Sequence, residues 1–219
     1  MQHQDTKYRD MFYNEMPDDA EHERQIRLRN KRNGVAIFQA AWILAFVSLA
    51  ISNLMLRSGS VEWPPLGVQK LNPLLPTIAT LGLITSVWLV RRGNSRISAD
   101  DMSRFLVQWR AALWLGAAFV AVMAYEWLSL SPVPEARILL ANRLEVTAAV
   151  TQYNAIFRVM TAFHVVHALA IGAYMLNVMR GARRGEVNAA ESWPAEAGAK
   201  LWYFVVTAWM IFYVVLYWI

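Results

Sequence analysis

Five stretches of the chain are predominantly apolar: residues 35–56, 74–90, 109–130 (broken only by Arg110 and Glu126), 156–179 (which carries Arg158, His164 and His167) and 201–219. A helix of about 17–25 residues, rising ~1.5 Å per residue, crosses a hydrocarbon layer of ~30 Å. The runs are continuous, not alternating, and each is longer than the ~10 residues of a barrel strand. They therefore predict helices and exclude a β-barrel. The predicted fold is all-α: a polytopic membrane bundle of five transmembrane helices forming one domain over 34–219, with no internal repeat. Residues 1–33 are a polar, charge-dense tail, and no apolar core followed by a cleavage site marks a secretory signal there. Its stretch from Asp18 to Arg32 fits either a charged surface helix or a mobile segment.

Composition supports this pattern. Of 219 residues, 57% are hydrophobic and only 17% charged, with ten Trp and ten Met; a soluble domain is nearer half apolar and a quarter charged. No Cys is present, which removes thiolate zinc sites, iron–sulfur clusters and thiol nucleophiles. The formal charge of +5 does not indicate nucleic acid, because the positive residues sit at the ends of the apolar runs. Seven Lys and Arg lie in the tail. Arg91, Arg92, Arg96, Arg104 and Arg110 follow the second run, and Arg180, Arg183, Arg184 and Lys200 follow the fourth. The other two connections hold only Arg57 and Lys70, then Arg137 and Arg143. Sixteen positives against four predict a cytoplasmic N-terminal tail, five spans and an outside C-terminus. The tail's balanced charge does not suit simple adhesion to anionic lipid.

The two outer connections differ from the inner ones. Residues 58–73 contain Trp63-Pro64-Pro65 and Asn72-Pro73, which enforce turns or extended chain. In the other, 135–150 has the apolar spacing of a short interfacial helix.

Ionisable groups inside a bilayer are costly and so are candidate functional groups. Here they are Glu126, Arg158, His164 and His167. His164 and His167 stand at i and i+3, on one helix face. Bis-histidine haem ligation needs imidazoles on opposite sides of the ring, and the remaining His3 and His22 lie in the tail, so a haem here would need one-sided His or His/Met ligation. A di-metal site would need more carboxylates than Glu126 supplies. The residues therefore predict no metal and no cofactor held by this chain, with neutral imidazoles hydrogen-bonded to a facing helix. Glu126 and Arg158 fall at similar depth, so they either pair across two helices or reach separately to the headgroups. No phosphate loop, nucleophile elbow or zinc-protease motif is present. No repeated broken helices suggest a transporter. The last run is loaded with aromatics: those at its ends fit an interfacial belt, while Trp209 and Phe212 in its middle suggest packing against other helices.

These residues carry a family likeness. Trp63-Pro64-Pro65-Leu66-Gly67-Val68, Leu71-Asn72-Pro73, Pro76, Thr80 and Thr85-Ser86 resemble a loop and helix of haem–copper oxidase subunit III. That is the third core subunit of cytochrome c oxidases and related quinol oxidases. Leu115-Gly116 through Tyr125-Glu126-Trp127 resembles the next helix. Thr161-Ala162-Phe163-His164-Val165-Val166-His167 is similar to the family's Thr-Gly-Phe-His-x-x-His. Trp202, Phe204-Val205, Trp209 and Tyr217 resemble its final helix. The order holds over 34–219, and five spans is the layout of the shorter bacterial form. The chain departs from the family at three places. Trp42 stands where the family's first shared helix is acidic, Ala79 where it has Asn, and Leu201-Trp202-Tyr203-Phe204-Val205-Val206 where it has Tyr-Trp-His-Phe-Val-Asp.

The resemblance implies a non-catalytic subunit in a bacterial cytoplasmic membrane, with haem and copper in partner subunits I and II. It implies bound phospholipid, in a cleft that sets the first two shared helices apart from the rest. Trp42, Trp63, Trp202, Tyr203 and Trp209 are then candidates for that cleft or for subunit packing. The complex would couple oxygen reduction to proton translocation. The alternatives are an accessory subunit of a quinol oxidase or nitric oxide reductase, and a b-type haem electron-transfer subunit using His164 or His167.

Overall fold

The computed structural model describes residues 19–60, 62–65, 68, 72–129 and 143–219. All regular structure among them is helical: α1 (Asp19–Ser58), α2 (Leu74–Ile97), α3 (Met102–Ser129), α4 (Arg143–Arg183) and α5 (Trp193–Tyr217). Five helices are long and apolar enough to cross a membrane, as the sequence predicted. The helices outrun the apolar runs because Arg, Lys, Glu and Gln are good helix formers and leave a bilayer without breaking the backbone. From Arg143 on, the predicted interfacial helix is instead the first turns of α4, since no Gly or Pro interrupts the chain from there to Ile171. Its remainder, with the rest of 130–142, lies outside the described residues.

Short connections have clear stop signals. Leu74 N–H donates to Asn72 Oδ1 at 3.0 Å, opening α2. Asp100, at φ 57°, turns the chain between α2 and α3, and Asp101 Oδ1 accepts from Arg104 N–H at 3.2 Å to cap α3. Gly185, at φ 79°, follows the end of α4 in the left-handed conformation that glycine adopts without strain. Pro194 sits in the first turn of α5.

The chain divides into two compact units, 1–40 and 41–219. The described part of the first is the charged start of α1, helical from Asp19, where Glu23 pairs with Arg27 at 3.1 Å. In the second, α2 packs on α3, α3 on α4, α4 on α5, and α5 back on α2. Thr77 meets Tyr213 while Ser86 meets Trp202, and Trp127 meets Thr161. Neighbours are therefore antiparallel, and the ring is an up-down-up-down four-helix bundle. The buried face of α3 runs Phe105, Trp109, Ala112, Gly116, Phe119, Met123, Glu126. That strict four-three spacing is the seam of a bundle helix.

Indole-to-hydroxyl bonds lock the ring. Trp202 Nε1 donates to Ser86 Oγ at 2.9 Å, Trp209 Nε1 to Thr80 Oγ1 at 2.8 Å, and Trp127 Nε1 to Thr161 Oγ1 at 2.8 Å. Each hydroxyl donates its own proton to a carbonyl of the preceding turn, Leu83, Pro76 and Phe157 respectively. Its lone pairs are thus left to accept from another helix. Glycines make room for the rings. A Cβ at Gly116 would lie 2.6 Å from Trp202 Cη2, and one at Gly93 2.6 Å from Trp109 Cδ1.

From Ala41 on, α1 meets the ring through side chains alone, with no Cα within 8 Å of a Cα on another helix. Phe46 is its main anchor, with ring centroids 5.1 Å from Phe163, 5.6 Å from Phe204 and 5.1 Å from Phe212.

Candidate functional site

The two intramembrane histidines lie one turn apart on α4, 0% and 1% exposed. Aromatic rings enclose them. Trp42 meets His167 at 4.3 Å with the rings tilted by 44°, and Phe46 and Phe204 meet it edge-on at 5.4 Å each. Phe119 meets His164 at 5.5 Å and Trp209 at 5.3 Å. None of the four ring nitrogens has a hydrogen-bond partner. The expected bond to a facing helix is therefore absent, because the facing side chains from α1, α3 and α5 are hydrocarbon or indole rings. T-shaped contacts with phenyl faces offer an imidazole N–H only a weak acceptor. Both imidazoles occupy one face of one helix, and Trp42, Phe46 and Phe204 fill the space before them. That arrangement does not fit a haem held between opposed ligands. No group of three or more His, Asp or Glu able to hold a metal occurs among the described residues.

Glu126 ends the buried seam of α3 and is 7% exposed. Arg158, at similar depth, is exposed on the outer side of α4. No ion pair joins them, so the pairing alternative is not realised. Facing, not depth, separates them: Glu126 is buried on the inner seam of α3, whereas the Arg158 side chain is exposed. Near Glu126 the end of α5 brings Tyr213 and Tyr217, whose rings lie 5.7 Å apart. The Tyr217 hydroxyl is buried without a partner.

The tryptophans proposed for a cleft or a subunit contact divide. Trp202 and Trp209 are fully enclosed and bonded within the ring, so neither lines a cleft or meets another subunit. Trp42 and Tyr203 are half-buried, and Trp63 is half-buried against Tyr153 at 5.0 Å. The implied separation of the first two helices from the rest is also absent. α2 stands in the ring, held to α5 by Thr77, Thr80 and Ser86, while α1 alone is set apart. Sequence reasoning missed Phe46, Trp109 and the glycines that seat the indoles. Their signal was a small residue on one helix at the level of a Trp on another, and levels are known only once the helices are placed.

A family profile described as cytochrome c oxidase subunit III matches residues 32–219. The chain belongs to the cytochrome c oxidase subunit III family. A cytochrome c oxidase subunit 3 from Thermostichus vulcanus is 30% identical over 185 residues, covering 84% of this chain and 85% of that protein. One from Synechocystis sp. is 25% identical over 185 residues, covering 84% and 73%. One from Locusta migratoria is 26% identical over 193 residues, covering 85% and 68%. As a subunit III homologue with five membrane-length helices, the chain is a membrane-embedded subunit of a respiratory terminal oxidase. In this chain His164 and His167 are buried among aromatic rings of α1, α3 and α5.

Proposed function

We propose that this subunit III is a non-catalytic scaffold that packs against subunit I of a haem–copper oxidase, beside subunit II, and stabilises it during turnover. Haem and copper belong to those partners, and the assembled complex couples oxygen reduction to proton translocation. The arginine-rich end of the bundle faces the cytoplasm of a bacterium. Phospholipid occupies the groove where α1 stands off from the ring. The side of α5 left between α1 and α2 carries half-buried Tyr203 and exposed Thr207 and Ile211, a floor suited to acyl chains.

The observation that carries this reading is the subunit III match over the whole five-helix body. The enclosed histidines support it, since the polar groups of the interior are walled by rings that leave no open ligand position. The test is mild solubilisation followed by identification of co-purifying subunits. A haem-bearing, oxygen-consuming partner is expected, and the donor it accepts separates cytochrome c oxidase from quinol oxidase and nitric oxide reductase. Complexes depleted of this chain should keep their haem and copper but inactivate faster during turnover. Haem retained by the isolated chain and lost on His164→Ala would overturn the reading.

A further inference from the structure

We propose that the groove between α3 and α4 holds an anionic phospholipid of the leaflet at the arginine-rich end, its phosphate bound between Arg110 and Arg180. This site is distinct from the groove beside α1 and needs only the membrane reading, not the oxidase assignment.

One contact fixes how the two helices face. A Cβ at Gly172 would lie 3.7 Å from Leu113 Cδ2. Helical geometry gives about 100° and ~1.5 Å per residue from there. Arg110, three residues before Leu113, lies about 60° round α3 and ~4.5 Å nearer the arginine-rich end. Arg180, eight residues after Gly172, lies about 80° round α4 and ~12 Å nearer that end. Both are exposed, so both turn from the shared contact towards the outside of the ring. Side chains lean towards the N-terminus of their helix. The helices are antiparallel, so Arg110 leans towards the arginine-rich end and Arg180 leans away from it. The ~7.5 Å difference in depth therefore closes from both sides.

Two guanidinium groups brought to one depth repel unless an anion joins them. No carboxylate lies within 4.0 Å of Arg110, Arg180 or Arg183 among the described residues. Asp101 is engaged by Arg104 at 3.4 Å and Arg96 at 4.0 Å, and Glu186 by Arg184 at 3.8 Å. The depth suits a headgroup, because the apolar run of α4 ends at Met179 beside Arg180. Away from that end the groove is apolar: Leu169 and Leu176 are 55% and 45% exposed, and Ala117 and Ala121 keep the α3 wall low. Paired arginines over an acyl-chain slot match a phosphodiester with tails, since guanidinium forks bind phosphate oxygens two at a time.

The test uses the complex as purified, placed in phosphatidylcholine nanodiscs containing a minor share of phosphatidylglycerol, with retained lipids counted by native mass spectrometry. Arg110→Gln/Arg180→Gln should lower phosphatidylglycerol retention about 30-fold, the factor expected for two interfacial charges, and leave phosphatidylcholine retention unchanged. Arg158→Gln, an exposed and unpaired arginine at the other end of α4, should change neither. If the Gln pair fails to fold by circular dichroism, Arg110→Lys/Arg180→Lys replaces it and should keep retention within about threefold. Unchanged retention in the Gln pair, or an equal loss in Arg158→Gln, overturns the site. Loss of a partner subunit with phosphatidylglycerol still bound also overturns it, by showing that an acidic protein surface covers the arginines. Lipid and partner are read separately, so failure of this site and failure of the scaffold reading are distinguishable.

Discussion

Replacing Thr80 by Val removes one oxygen from the ring and keeps the shape of the side chain. Thr80 Oγ1 accepts from Trp209 Nε1 at 2.8 Å, and the two residues are 4% and 0% exposed. Without the hydroxyl, the indole N–H is buried with no acceptor. An orphaned buried donor costs about 1–3 kcal/mol in soluble proteins, and hydrogen bonds between membrane helices average ~0.6 with a maximum of ~1.7 kcal/mol. Thr80→Val should therefore destabilise the bundle by about 1–1.5 kcal/mol. Thr85 is the control, since it lies on the same helix and donates to Leu81 O at 2.9 Å but is exposed. Thr85→Val should change stability by less than about 0.5 kcal/mol. The assay is reversible unfolding of the purified protein in mild detergent by titration with sodium dodecyl sulfate, followed by circular dichroism. Trp209→Phe alone and with Thr80→Val completes a double-mutant cycle. Equal losses for Thr80→Val and Thr85→Val, or a cycle with no coupling, would refute the idea that these hydroxyls fasten α2 to α5.

Gly116→Ala should cost about 1–3 kcal/mol in the same assay, because its Cβ meets the Trp202 ring at 2.6 Å and overpacking strains a full core. Gly172→Ala, 3.7 Å from Leu113, should be tolerated. His164→Phe should be neutral or stabilising, since both nitrogens lack partners and an apolar ring of similar shape removes that penalty; a large loss would reveal a hidden ligand. Glu126→Gln and Arg158→Gln should be additive in a double-mutant cycle on stability, because the structure does not pair them. Phe46→Ala should cost about 3–5 kcal/mol and make α1 the first helix cut by protease, as that ring meets Phe163 on α4 and Phe204 and Phe212 on α5.

The family motif was legible where side-chain identity alone carries it. Trp63-Pro64-Pro65, Thr161 through His167 and the aromatic run of the last helix stand in the expected order. The role of the histidines was not legible. Their spacing showed a shared face, and the expectation of hydrogen bonds followed from burial. What stands opposite depends on α1, α3 and α5 together, and they present Trp42, Phe46, Phe119 and Phe204. Glu126 and Arg158 show the same limit, because run boundaries gave their depth and only helix rotation gave their facing. The resemblance made Trp202 and Trp209 candidates for a cleft or a subunit contact, although the middle position of Trp209 already suggested packing between helices; here Ser86, Thr80 and Gly116 accept both into the core.

By itself, the sequence determined the number of helices, their all-α character and where each lies along the chain. Those follow from the length of apolar runs and from the need to satisfy every backbone polar group locally in a bilayer. Only the tertiary structure decided that α2 to α5 close into a ring while α1 is held by side chains alone. Between membrane helices no difference in hydrophobicity selects partners. Close fit of small residues to rings, and a few polar bonds across helices, make that choice, and both depend on rotations and levels that a linear pattern does not contain.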